Sequence, residues 1–148
     1  MPSGQLERRS TDRLPIVARD VLIVACAISA GIHAALTPEH FREEAPAGAG
    51  FLVSTLLLAA LCIGLTYRPD SGVAVAVAGA VLAGLLAAYA LALTTGVPLL
   101  HPEPEPADGL GLATKAIELV GLAVAVHLIA TARSAGRLTR LQPKETYR

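Results

Sequence analysis

Charged side chains cut this sequence into long apolar runs, and the lengths of those runs predict its elements. Val21 to Pro38 is free of Asp, Glu, Lys and Arg and extends back to Ala18 across Arg19 and Asp20, while Ala45 to Tyr67 is uninterrupted. Ser71 to Pro102 is longer and has to end before Pro98, and Gly109 to Ala132 is broken only by Lys115 and Glu118. A bilayer hydrocarbon core about 30 Å thick needs roughly 20 apolar residues in helix. Each run therefore predicts one crossing, at about 18–37, 48–67, 72–95 and 109–132.

Proline placement agrees, because a proline inside a helix removes a backbone hydrogen bond and clashes with the preceding turn. Pro15, Pro38, Pro46, Pro69, Pro98 and the series Pro102, Pro104, Pro106 all bracket the predicted spans. Helices are the expected spanning form, since a few closely spaced runs of this length cannot be the alternating strands of a closed barrel. The fold class expected is all-α: a four-helix transmembrane bundle over residues 18–133, with an N-terminal tail, 1–17, and a basic C-terminal tail, 134–148. The basic start and apolar middle of the first span resemble a signal peptide, but three further spans need an anchor, so the expectation is that it is retained.

Orientation follows from Lys and Arg. Arg8, Arg9, Arg13 and Arg19 precede or open span one, Arg68 follows span two, and Arg133, Arg137, Arg140, Lys144 and Arg148 follow span four. The alternate loops carry Arg42 against Glu39, Glu43, Glu44, Glu103, Glu105 and Asp108. Both termini are expected in the cytoplasm, in a plasma-membrane protein whose two acidic loops face outward.

Composition strengthens this picture. Hydrophobic residues make up 53% of the 148, charged residues 16%, and the mean hydropathy is +0.57, which describes a chain whose solvent is lipid. A formal net charge of zero and the lack of a basic patch with interleaved aromatics exclude nucleic acid as a partner. Cys26 and Cys62 sit inside apolar runs and read as small buried hydrophobes rather than a disulfide or redox pair. The sequence has no P-loop and no dinucleotide fingerprint, and no histidine stands clearly level with Ser29, Ser54 or a cysteine to act as its base. The expectation is a protein that is not an enzyme.

In lipid the hydrophobic drive between helices is small, so close approach through small residues carries the packing. Span three supplies pairs four apart: Gly79 with Ala83, Ala80 with Gly84, and Gly84 with Ala88. Span one offers Ala27, Gly31 and Ala35, span two Ala60 and Gly64, span four Gly121 and Ala125. Such faces serve packing inside the bundle and equally docking of another helix.

Charges inside a span cost on the order of 2.5–3.5 kcal/mol each on insertion scales, so Lys115 and Glu118 need an explanation. Counted from Gly109, they lie about 9 and 13 Å down span four, three residues apart, where opposite charges meet. Two accounts stay open: Lys115 snorkels outward and neutralises Glu118 locally, or Glu118 faces the interior and takes a cation or proton. His33 and Tyr89 fall near the same outer third. Above them come "TPEHFREE", with Glu39, His40, Glu43 and Glu44, and "HPEPEP", whose alternating prolines stiffen an extended arm bearing His101, Glu103 and Glu105. Imidazole and carboxylate together suit zinc, copper or another divalent ion, so His33, Glu39, His40, His101, Glu103 and Glu105 are the candidate ligands. A solvated acidic loop that sets topology is the competing account. His127 lies near the opposite end of span four and cannot pair with His33 across a haem.

The arrangement "GIHAALTPEHFREE", then "GFL" opening span two, then "YALALTTGVP" and "DGLGLATKAIE", resembles small four-span integral membrane proteins of high-GC actinobacterial type over roughly residues 18–130. Arg outnumbers Lys ten to two, with abundant Ala, Gly and Val, as in proteins from such genomes. The resemblance implies a four-helix membrane fold, assigns no activity to particular residues, and places His33, Glu39, His40, Gly96, Pro98 and Glu118 in a recurring pattern. Three functions follow as expectations. The first is a non-enzymatic membrane protein with an outer-face divalent-cation site, and the second a structural or accessory subunit that docks on itself or another membrane protein. The third is an oligomeric proton- or ion-coupled transporter working through Glu118.

Overall fold

A computed structural model describes residues 4–97, 104 and 106–141 of the chain, with side chains described from residue 16 to residue 134 within those limits. Four helices follow one another: α1 (Gly4–Glu43), α2 (Ala45–Tyr67), α3 (Gly72–Thr94) and α4 (Gly109–Leu141). Each contains a segment long and apolar enough to cross a bilayer: Ile16–Glu43, Ala45–Tyr67, Gly72–Thr94 and Gly109–Ser134. This is the architecture of a multi-pass membrane protein, all-α as expected.

The helix ends have local causes. Between α1 and α2 a single residue, Glu44, takes an extended conformation (φ −145°, ψ 118°) and turns the chain, and Pro46 sits in the first turn of α2, where its missing N–H has no intrahelical partner to lose. At the start of α3, the Ser71 hydroxyl accepts from the Ala74 amide at 3.2 Å, a side-chain cap for one of the unpaired N–H groups of the first turn. Asp108 does the same for α4, its carboxylate accepting from the Gly111 amide at 2.8 Å. After α3 the chain leaves through Gly96 at φ +73°, in the left-handed region where a Cβ is disfavoured.

One expectation about prolines needs correcting. Neither Pro15 nor Pro38 bounds α1, which runs through both from Gly4 to Glu43. Pro38 cannot donate to the carbonyl four residues back, and the side chains beside it bond other carbonyls of the same turn: Thr37 Oγ1 donates to His33 O at 2.7 Å and His40 Nδ1 donates to Leu36 O at 3.0 Å. The packing of Phe41 directly over Gly48, whose added Cβ would lie 2.7 Å from Phe41 Cα, then fixes the crossing of α1 and α2.

The helices form a ring in which α1 packs most extensively on α2 and also on α4, α4 packs on α3, and the α2–α3 seam is thinner. Its interior is built from Leu22, Cys26 and Ala30 of α1, Leu58 and Leu65 of α2, Val75, Ala78 and Leu82 of α3, and Ala125 of α4. The α1–α3–α4 contact depends on one glycine, since a Cβ on Gly121 would come within 3.0 Å of both Ala25 Cβ and Leu82 Cδ1. Outside, Val24, Leu56, Ile63, Val73, Leu119 and Val126 are each more than half exposed. Contiguous apolar surface on that scale is far beyond the patches a water-soluble monomer leaves open and matches a lipid-facing exterior.

Candidate functional site

The charged pair of α4 sits inside the bundle. Glu118 has no exposed surface, and Lys115 Nζ donates to its Oε2 at 2.6 Å with 15% of the lysine side chain exposed. The other carboxylate oxygen, Oε1, accepts from Ser29 Oγ of α1 at 2.7 Å. Both oxygens are thus bonded within the chain, one by a residue on the same helix and one by a neighbour. Three-residue spacing brings Lys115 and Glu118 together on α4, while Ser29 reaches across from the α1 face that carries Cys26, Ala30 and His33.

Around this core the network extends upward. His33 is 7% exposed, and its Nδ1 donates to Ser29 O at 2.9 Å while lying 3.4 Å from Ser29 Oγ. Phe51 of α2 is flanked by two imidazoles, stacked on His40 with centroids 3.8 Å apart and tilted against His33 at 5.3 Å. On the far side, the Lys115 ammonium stands 5.5 Å from the centre of the Tyr89 ring of α3, close enough for a cation–π attraction. Tyr89 in turn packs over Gly111, where an added Cβ would lie 2.9 Å from its hydroxyl. The polar layer expected from His33, Tyr89, Lys115 and Glu118 is one connected cluster. The expectation that no histidine stands level with Ser29 is corrected: their four-residue spacing puts both on one face of α1, with His33 Nδ1 3.4 Å from Ser29 Oγ.

The expected metal ligands divide. His33 and His40 come to Phe51, each with Nδ1 donating to a carbonyl of its own helix, so Nε2 is the nitrogen left to face a ligand. Glu39 is exposed. His101, Glu103 and Glu105 lie outside the described residues. Among the described residues no group of three or more His, Cys, Asp and Glu is placed to hold a metal ion.

The small residues of α3 also divide. Gly79 is buried, with its Cβ position 3.4 Å from Ala125 Cβ. Ala80, Ala83 and Gly84 face outward and Ala88 is half-buried; a Cβ on Gly84 would meet nothing within 4 Å. The pairs four apart therefore do not form one interior stripe: the buried face of α3 is Val75, Ala78, Gly79 and Leu82, and Ala80 with Gly84 lies on another face of the helix. Gly31 of α1 is likewise open. Of the cysteines, Cys26 is buried and Cys62 is half-buried, its Sγ 3.5 Å from Ile23 O. His127 is exposed and borders a cleft at the opposite end of the bundle from the polar cluster.

Chemically, the cluster is a fastening between α1 and α4. It links an ammonium to a carboxylate, the carboxylate to a hydroxyl and the hydroxyl to an imidazole, and Glu118 lines neither the cleft along α1 and α4 at Val21 and Val120 nor the one at Arg19 and His127. Comparison of the chain with protein-family models, with curated proteins and with solved structures finds no match.

Proposed function

We propose that this chain is a non-enzymatic subunit of the cell membrane, four-spanning with both termini in the cytoplasm, that serves as a structural or accessory component for other membrane helices. The observation carrying this reading is the state of Glu118, a fully buried carboxylate with both oxygens bonded to donors of its own bundle. A carrier's carboxylate has to meet water or its cargo from at least one side. This one is committed to holding α1 against α4. The orientation rests on the arginines, which concentrate in the two tails and after α2.

The outward face of α3 is where a partner helix fits. Ala80, Ala83 and Gly84 are exposed, and the space over Gly84 is open, so a second helix can approach the backbone closely there. Two measurements test the proposal together. Recovery of a defined membrane partner in mild detergent is expected from the parent protein and lost in Gly84→Leu, with the isolated bundle folding normally in both. Proton or cation flux into liposomes is expected to be indistinguishable from empty vesicles. Flux abolished by Glu118→Gln would overturn the reading in favour of transport.

A further inference from the structure

The cleft at the end of the bundle remote from the polar cluster has a different character from the rest of the surface. Its volume is about 590 Å³, within the range of roughly 300–1,000 Å³ usual for small-ligand sites. Three helices and a turn build it. Arg19 comes from α1, Asp70 and Ser71 from the α2–α3 turn, and His127 from α4, over a floor of Val75, Leu128 and Ile129. The apolar floor belongs to the spanning segments and the polar rim to their ends. The cleft is therefore amphipathic along the direction in which a lipid is amphipathic.

Its charges are complementary to one headgroup class. Arg19 and Asp70 line the same cleft, and among the described residues no ion pair joins either to a partner. Arg19 is half-buried, and a guanidinium suits a phosphate diester through paired N–H donors. Asp70 is a carboxylate acceptor for an ammonium. His127 and the Ser71 hydroxyl add donors at the rim, Ser71 Oγ already accepting from Ala74 N.

We propose that this cleft binds a phospholipid whose headgroup carries both a phosphate and a primary ammonium. The phosphate lies on Arg19, the ammonium on Asp70, and an acyl chain runs down over Val75 and Ile129. An anionic headgroup without an amine would leave Asp70 opposed by like charge. A quaternary amine would give Asp70 no N–H to accept.

The test uses the full chain in mild detergent, with bound lipid counted by native mass spectrometry against three lipids of identical acyl chains: phosphatidylethanolamine, phosphatidylcholine and phosphatidylglycerol. Phosphatidylethanolamine is expected to be retained about tenfold over the other two, one well-formed charged hydrogen bond being sufficient for that ratio. Arg19→Gln is expected to lower its retention about tenfold. Asp70→Asn, an exposed turn position without an ion pair to lose, is expected to keep the fold and bring phosphatidylethanolamine down to the level of phosphatidylglycerol. Equal retention of all three lipids, preference for phosphatidylglycerol, or a selectivity ratio unmoved in Asp70→Asn overturns the proposal. So does displacement of the lipid by free phosphoethanolamine at equal concentration, which would make the apolar floor irrelevant.

Discussion

Removing Lys115 alone is the sharpest perturbation of this bundle. Lys115→Met keeps the length of the side chain and its packing under Tyr89 but withdraws the ammonium from a carboxylate with no exposed surface. Ser29 then remains as the donor to Glu118. Breaking a buried ion pair from one side costs about 3–5 kcal/mol, because the remaining charge is left without compensation, whereas replacing both partners with well-packed apolar groups is often neutral. The expected costs are about 3 kcal/mol for Lys115→Met, a similar loss for Glu118→Met, which strands the ammonium, and within about 1 kcal/mol of the parent for the double variant. Ser29→Ala removes one interhelical hydrogen bond, worth about 0.6 kcal/mol on average in membrane proteins and at most about 1.7. Reversible unfolding in mixed micelles with increasing sodium dodecyl sulfate, followed by helical circular dichroism, gives all four free energies. The double-mutant cycle is then decisive. A coupling below about 0.5 kcal/mol, the level at which independent sites add, would refute the idea that the pair acts as a unit within α4, while the Ser29→Ala cost reads its link to α1.

Three further outcomes follow from the same geometry. Gly121→Val is expected to destabilise the bundle by about 1–3 kcal/mol as an overpacking change, because its Cβ arrives 3.0 Å from Ala25 and Leu82; Gly84→Leu, into open space, is expected to leave stability within about 0.5 kcal/mol. Both are read by the same unfolding assay. Gly96→Ala is expected to cost about 1–2 kcal/mol because the residue sits at φ +73°, and a variant as stable as the parent would show that the turn relaxes. Asp108→Ala is expected to cost about 1 kcal/mol through loss of the α4 cap to Gly111, whereas Asp108→Asn, which keeps an acceptor oxygen, restores most of it.

The spans were legible in the sequence because bilayer thickness converts directly into a count of uncharged residues. The uncharged run Ala45–Tyr67 coincides with α2, three residues longer at its start than the crossing expected at 48–67. The first helix shows the limit of that reasoning. Charge and Pro38 both mark the end of a span, but they do not end the hydrogen-bonded helix, which runs on through Pro38 to Glu43.

What the apolar pattern does not reveal is which face turns inward. In a lipid-embedded bundle both the core and the exterior are aliphatic, so Leu58 and Leu56, two residues apart on α2, differ in nothing but burial: 0% against 61% exposed. The same ambiguity hides the difference between Gly79, against Ala125, and Gly84, open on the outside. Polar residues break it. Lys115 and Glu118 are costly in a span, and that cost singled them out, with their contact one of the two accounts that the sequence left open. Ser29 escaped because a serine is inexpensive in a membrane helix, and its partner is 89 residues away in sequence.

Side-specific labelling tests the central claim, a lipid-embedded bundle crossed four times, most directly. In a background with Cys26 and Cys62 replaced by Ala, single cysteines at Asp70→Cys and Asp108→Cys report the α2–α3 and α3–α4 connections to a membrane-impermeant maleimide. The protein is expected to stay with the membrane through alkaline carbonate extraction, with Asp108→Cys labelled in intact cells and Asp70→Cys labelled only after the membrane is opened. Labelling of both positions from one side, or release of the protein into the carbonate supernatant, would contradict the account.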